Sequence, residues 1–310
     1  MHNRMRQVLQ RKDEIRRELN CPNQTLEQIR QGYAMKLRWW NDGGPRVSVH
    51  QTFAGSNRVS VTLYGQDFNC GHAIVYAHGG GWIVGHSSTH DRLLRMISAR
   101  CQCPVYSVNY SLAPQAKYPT QVQEVSSVVR AVAPRFSRLV LMGDSCGATL
   151  MMQVFRALSQ PLSRDDGGST DAMSAQISGL VLFYGAYGLE DSQSLAQFGA
   201  LDPSMTRADL RGYEEAILPK GQSRDVLNFL DGHLTGFPQA FIVGCEYDPL
   251  RDDSRELALR LEHDSVRAEY VELPGLMHAF LQYSRMLPEV STIVNRVAQW
   301  IDSIAPRGSR

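Results

Sequence analysis

Apolar positions recur in two rhythms along the chain. Near the start, Leu26, Ile29, Tyr33, Leu37 and Trp40 return every three or four residues, the stripe of an amphipathic helix. Thr25 precedes the stripe and Gln28 follows it by three, a pairing in which each side chain can bond the other's backbone N–H. Asn41-Asp42-Gly43-Gly44-Pro45 then ends the helix with residues that accept left-handed or non-helical backbone. Short continuous apolar runs follow and predict strands at 47–53 and 59–63, an antiparallel pair, and at 73–77, 104–110, 139–142, 179–184, 240–244 and 267–273. Helical patterns lie between the later runs, among them 148–158, and 291–304 closes the chain. The alternation predicts an α/β fold: a mostly parallel central sheet with helices on both faces.

The alternation breaks between 185 and 238. No strand pattern lies there. One helical pattern opens at Thr206 with Asp209 three residues on, continues through Tyr213 and Ile217, and stops at Pro219. Earlier, Arg164-Asp165-Asp166-Gly167-Gly168-Ser169 reads as a polar loop. The chain therefore divides into helices at 1–45, the first part of a core at 46–184, an insertion at 185–238 and the second part of the core at 239–310. No internal repeat or low-complexity tract interrupts this plan.

The candidate chemistry sits at strand ends. Gly143-Asp144-Ser145-Cys146-Gly147 joins the 139–142 strand to the 148–158 helix. A strand, a G-x-S-x-G turn and a helix make a nucleophile elbow: the glycines admit a sharp turn, and the serine oxygen is lifted clear of the sheet. The N–H after the serine then faces a developing oxyanion at a helix N-terminus. His78-Gly79-Gly80-Gly81-Trp82 follows the 73–77 strand, and its bare backbone N–H groups suit the same task. The expected oxyanion hole is thus Gly80, Gly81 and Cys146, with Trp82 either walling a substrate pocket or filling core. A serine nucleophile needs a base, and the base needs an orienting carboxylate. Asp248 follows the 240–244 strand, before Pro249. His278 follows the 267–273 strand in a loop at 274–278. Glu246, Asp252 and Asp253 rival Asp248, which is preferred because Pro249 fixes the turn beyond it.

These motifs, with Asn109-Tyr110-Ser111-Leu112-Ala113-Pro114, Asp248-Pro249-Leu250 and Gly275-Leu276-Met277-His278-Ala279-Phe280, resemble the hormone-sensitive-lipase-like esterases of the α/β-hydrolase fold. Tyr184 to Leu189, Asp252 to Arg255 and His278 to Met286 resemble the bacterial acetyl esterases of that group most closely. The resemblance runs from about Thr25 to about Trp300. It implies a carboxylesterase without cofactor or metal, Ser145, Asp248 and His278 as its triad, and a small-molecule ester with a short acyl group as substrate. It also implies that the insertion and the N-terminal helices form a helical cap. Two positions depart from the family pattern: Cys146 where Ala is more usual, and Gln115 where an acidic residue is usual. An amidase, such as an aryl formamidase, and a non-catalytic binding protein on the same scaffold are the alternatives.

Composition fits this picture. A chain of 310 residues buries enough surface for a core without staples. A net charge of +1 gives no basic surface for nucleic acid or anionic membrane. No run is long enough to span a bilayer. Arg4 and Arg6 are followed by Gln10-Arg11-Lys12-Asp13-Glu14 rather than an apolar stretch, so no export signal is expected. Six cysteines without a C-x-x-C pair suggest neither a zinc site nor a disulfide framework. They are read as reduced thiols of a cytoplasmic protein. A homodimer is compatible with the chain, which does not specify one.

Overall fold

The computed structural model describes residues 1–19, 25–160 and 170–305. The polar run at 164–169 lies outside the described residues. In chain order the elements are α1 (Asn3–Leu19), α2 (Leu26–Arg38), β1 (Val49–Ala54), β2 (Val59–Tyr64), β3 (His72–Ala77), α3 (Asp91–Cys101), β4 (Val105–Val108), α4 (Thr120–Val132), β5 (Arg138–Asp144), α5 (Cys146–Ser159) and α6 (Thr170–Gln176). They continue with β6 (Ile177–Phe183), α7 (Gln193–Phe198), α8 (Arg207–Ile217), β7 (Ala240–Tyr247), α9 (Arg251–His263), β8 (Ala268–Met277) and α10 (Pro288–Ile304). All eight strands form one sheet in the order β1-β2-β4-β3-β5-β6-β7-β8. The pairs β1–β2 and β2–β4 are antiparallel, and the rest are parallel.

The continuous apolar runs have a direct physical cause. Successive strand residues point to opposite faces, and both faces are covered. Ala73, Val75 and Ala77 of β3 and Leu139 and Leu141 of β5 pack with α4, α5 and α9. Ile74, Tyr76, Val140 and Met142 face the other way, onto α3 and α10. Helix α1 contributes Met5, Val8 and Ile15 to that second layer. Its three buried positions stand among arginines, glutamates and a lysine, so the sequence shows no distinct stripe there. Thr25 and Gln28 form the expected reciprocal cap of α2. Thr206 and Asp209 do the same for α8.

Most expected elements are present with ends shifted by one to three residues, and two differences go further. Residues 274–277 continue β8 rather than forming a loop. The pairing with β7 shifts register between Cys245 and Tyr247 and resumes with Met277 opposite Tyr247. Gly275 supplies a φ of +74° at this irregularity, which lets the strand kink and resume. The 185–238 segment also holds a second helix, α7, whose six residues are too few to show a periodic stripe. Ser145, Asp248 and His278 consequently follow β5, β7 and β8 along one edge of the sheet, where open α/β sheets carry ligands.

Candidate active site

Ser145 is held at φ +53° between β5 and the first residue of α5. The flanking glycines are required by space. A Cβ on Gly147 would lie 2.2 Å from the Ala77 carbonyl oxygen, and one on Gly143 would lie 2.5 Å from the backbone of Gly147. No side chain fits at either position, so the elbow packs directly against the end of β3. The Ser145 N–H donates to the Phe183 carbonyl at 2.8 Å.

The three residues singled out from the sequence come together. His278 Nε2 is 3.0 Å from Ser145 Oγ, and His278 Nδ1 is 2.8 Å from Asp248 Oδ2. The second Asp248 oxygen accepts the Leu250 N–H at 2.8 Å, across the turn made by Pro249. Asp248 is fully buried. Burial works against a charged His278, but the Asp248 carboxylate outweighs it, aided by Asp202 and Asp144, and the imidazole titrates above its ordinary value. The rivals of Asp248 are engaged elsewhere. Glu246 accepts the Gly275 N–H, Asp252 the Ser194 N–H, and Asp253 three N–H groups of the segment after β6.

The glycine loop is fixed by Asp144, whose role no sequence motif marks. Its carboxylate accepts Tyr76 Oη at 2.7 Å and the Gly79 N–H at 2.9 Å, and His90 Nε2 lies 3.4 Å away. Burial would raise this carboxyl, yet His90, Tyr76 and Gly79 together hold it below its usual range. His78 is fully enclosed, stacked on Tyr110 with ring centroids 4.4 Å apart. Burial pushes it down to about 3, so it stays neutral. Gly80 and Gly81 have φ of +123° and +58°. The Trp82 N–H donates to Cys146 Sγ at 3.2 Å. Burial raises this thiol to about 12, although the N–H groups of Trp82 and Gly81 pull the other way. The Cys146 side chain thus braces the loop, while its N–H opens α5. Trp82 is buried in the core and also borders the cavity. Gln115 accepts from Arg30 on α2 at 2.9 Å, and Arg30 also donates to the carbonyls of Ile83 and Ala113.

Ser145 and His278 open into a cavity of about 1180 Å³. Its walls come from the glycine loop, from α1 and α2, and from the segment between β6 and β7. Tyr213 of α8 is seated on the loop, its ring 2.7 Å from where a Gly81 Cβ would be. Among the described residues, no group of three or more His, Cys, Asp or Glu converges as a metal site. Nor, among those residues, is any helix long and apolar enough to cross a membrane.

A family model described as alpha/beta hydrolase fold matches residues 74–282, well over half of the chain and all three of Ser145, Asp248 and His278. The chain belongs to the alpha/beta-hydrolase fold family. Solved structures align along almost its whole length. An esterase of Pyrobaculum calidifontis is 24% identical, with a TM-score of 0.80 over 98% of this chain and 99% of that one. An esterase of the bacterial hormone-sensitive lipase family is 21% identical, with a TM-score of 0.82 over 98% and 99%. A fungal esterase of Rhizomucor miehei is 22% identical, with a TM-score of 0.83 over 98% of each. These likenesses show the shared fold along almost the whole of this alpha/beta hydrolase.

Proposed function

We propose that this alpha/beta hydrolase is a serine carboxylesterase acting on small esters with short acyl groups. The observation that carries the reading is the Ser145–His278–Asp248 relay, 3.0 Å and 2.8 Å, with Ser145 and His278 bordering the cavity and Asp248 buried behind them. His278 takes the Ser145 proton as the serine attacks the ester carbonyl. Asp248 holds the imidazole in the tautomer with its free nitrogen toward Ser145 and stabilises the cation that forms. The N–H groups of Gly80, Gly81 and Cys146 receive the oxyanion, each worth about 2.7–4 kcal/mol of barrier by analogy with other hydrolases. His278 then protonates the leaving alcohol, and water repeats the sequence on the acyl-enzyme.

In this reading residues 1–45 and 185–238 form a cap over the core segments 46–184 and 239–310. Its support is that α1, α2 and α8 all border the cavity above Ser145. The acetyl-like acyl preference rests on the resemblance of the motifs, and Trp82 and Tyr213 beside the glycine loop suit a short acyl site. Four of the five described cysteines are buried thiols, in keeping with a reducing, cytoplasmic setting.

The deciding experiment joins covalent labelling and turnover. A fluorophosphonate should label Ser145 in the wild type and not in Ser145→Ala. Hydrolysis of p-nitrophenyl acetate should fall at least about 10⁴-fold in that variant. An intact chain that resists labelling would favour a binding protein. Faster cleavage of a matched anilide than of the ester would favour an amidase. Across p-nitrophenyl esters from acetate to palmitate, a maximum at octanoate or beyond would remove the short-acyl part alone.

A further inference from the structure

The cavity wall beside His278 carries polar groups that the relay does not use. Lys12 of α1 has its Nζ 3.6 Å from Asp202 Oδ2 and 5.3 Å from the ring centroid of Tyr283. Tyr33 of α2 accepts the Gln282 side-chain N–H at 2.8 Å, so its own hydroxyl proton is left to donate. All five residues border the cavity. Asp202 lies close enough to His278 for their charges to act on each other. The cluster therefore lines the same cavity as the imidazole that would hand a proton to the departing alcohol.

Both members of the ion pair stay charged. Tyr283 first, and Asp202 after it, hold the Lys12 ammonium above its ordinary value against burial. Burial would raise the Asp202 carboxyl, but Lys12 and Ser204 hold it below its usual range. At 3.6 Å the pair is longer than a hydrogen bond, so each partner keeps capacity for a third group. The other Asp202 oxygen is occupied, accepting the Ser204 N–H and hydroxyl.

The set offers strong donors, Lys12 and Tyr33, beside a strong acceptor, Asp202. Hydroxyl groups both donate and accept and can use all three. A carboxylate or phosphate would meet Lys12 but be opposed by Asp202. A hydrocarbon would leave the charged pair desolvated and unpaid by any new bond. We infer that Lys12, Tyr33 and Asp202 form a subsite for a hydroxylated alcohol moiety, so that the substrates are short-acyl esters of polyols. The inference rests on the esterase reading, and it concerns the leaving group where that reading concerns the acyl group.

The test uses the full chain and two acetates that differ only in hydroxyl groups, glycerol monoacetate and n-propyl acetate. The wild type should favour the glycerol ester in kcat/KM by about tenfold, the value of one added charge-assisted bond. Lys12→Met and Tyr33→Phe should each cut that ratio by roughly fivefold or more. Tyr33→Phe removes only an oxygen and should fold even if Lys12→Met does not, and fluorophosphonate labelling verifies the site in each. A wild-type ratio of one or less, or a ratio unmoved in both variants, overturns the subsite and leaves the esterase reading standing. If neither acetate is cleaved and Ser145 does not label, the esterase reading falls and takes the subsite with it.

Discussion

Asp253 Oδ1 accepts the Tyr187 N–H at 2.7 Å, and the same oxygen also accepts those of Gly188 and Leu189 at 3.1 and 3.2 Å. Asp253 stands in the first turn of α9, five residues after Asp248. Tyr187 to Leu189 lie where the chain leaves β6 for the cavity wall. One carboxylate thus ties the base of the 185–238 segment to the loop that carries the His278 partner. Burial raises its carboxyl to about 7, although the three N–H groups and Arg224 pull it down.

That shift has a definite sign. The folded chain binds a proton at Asp253 up to about pH 7, whereas the unfolded chain releases it near 3.8. Stability from this group is full below the unfolded value and is lost as pH rises through the folded one. Asp253→Asn, neutral throughout, should show a flatter dependence of melting temperature on pH between 4 and 8. Parallel curves for the two proteins would contradict the assignment.

The acid limb of kcat/KM should have its midpoint above the ordinary imidazole value of 6.5, because Asp248 raises His278 against burial and only neutral His278 serves as base. Asp248→Asn should move the remaining activity's midpoint downward. A profile flat to pH 4 would exclude a histidine base. In stability, the raised His278 contributes most below 6.5 and less as pH climbs past its folded value.

Asp248→Asn should lower kcat by about 10⁴, since the amide favours the wrong imidazole tautomer. Asp252→Asn should cost less than about tenfold, because this carboxylate holds the Ser194 N–H and Arg251 rather than the imidazole. Steady-state kinetics on p-nitrophenyl acetate separate them, and equal losses would undo the assignment of the acid.

Gly147→Ala should destabilise the fold by about 3 kcal/mol or more, its Cβ forced onto the Ala77 carbonyl. Gly212→Ala, inside α8 with nothing within 4 Å of the new methyl, should stabilise by about 0.5–1 kcal/mol. Urea midpoints measure both. A tolerated Gly147→Ala would mean that the elbow and β3 are not in rigid contact.

The sheet was legible because burial on both faces writes its strands as unbroken apolar runs, Ala73 to Ala77 above all. The elbow and glycine loop were legible because close backbone contact excludes side chains, and glycine leaves that exclusion in the sequence. Helices were expected at 1–45, but the bounds and buried face of α1 were not legible, since Met5, Val8 and Ile15 are too few among charges to stand out. Continuation of β8 to Met277 was hidden by Pro274 and Gly275, which read as a turn and act as a kink within a strand. Lys12 and Asp202 meet only through tertiary folding, 190 positions apart in the chain, and nothing local marks either one.

The contact between Ser145 and His278 also spans 133 positions. On a ribosome adding roughly 5–20 residues per second, the histidine follows the serine by roughly 7 to 27 seconds. Lys12 and Tyr33 are made before Ser145, and Gln282 after His278, so the cavity wall and the relay are finished together. On the esterase reading, a growing chain carries an unactivated alcohol at position 145 and gains its chemistry only once β8 joins the sheet.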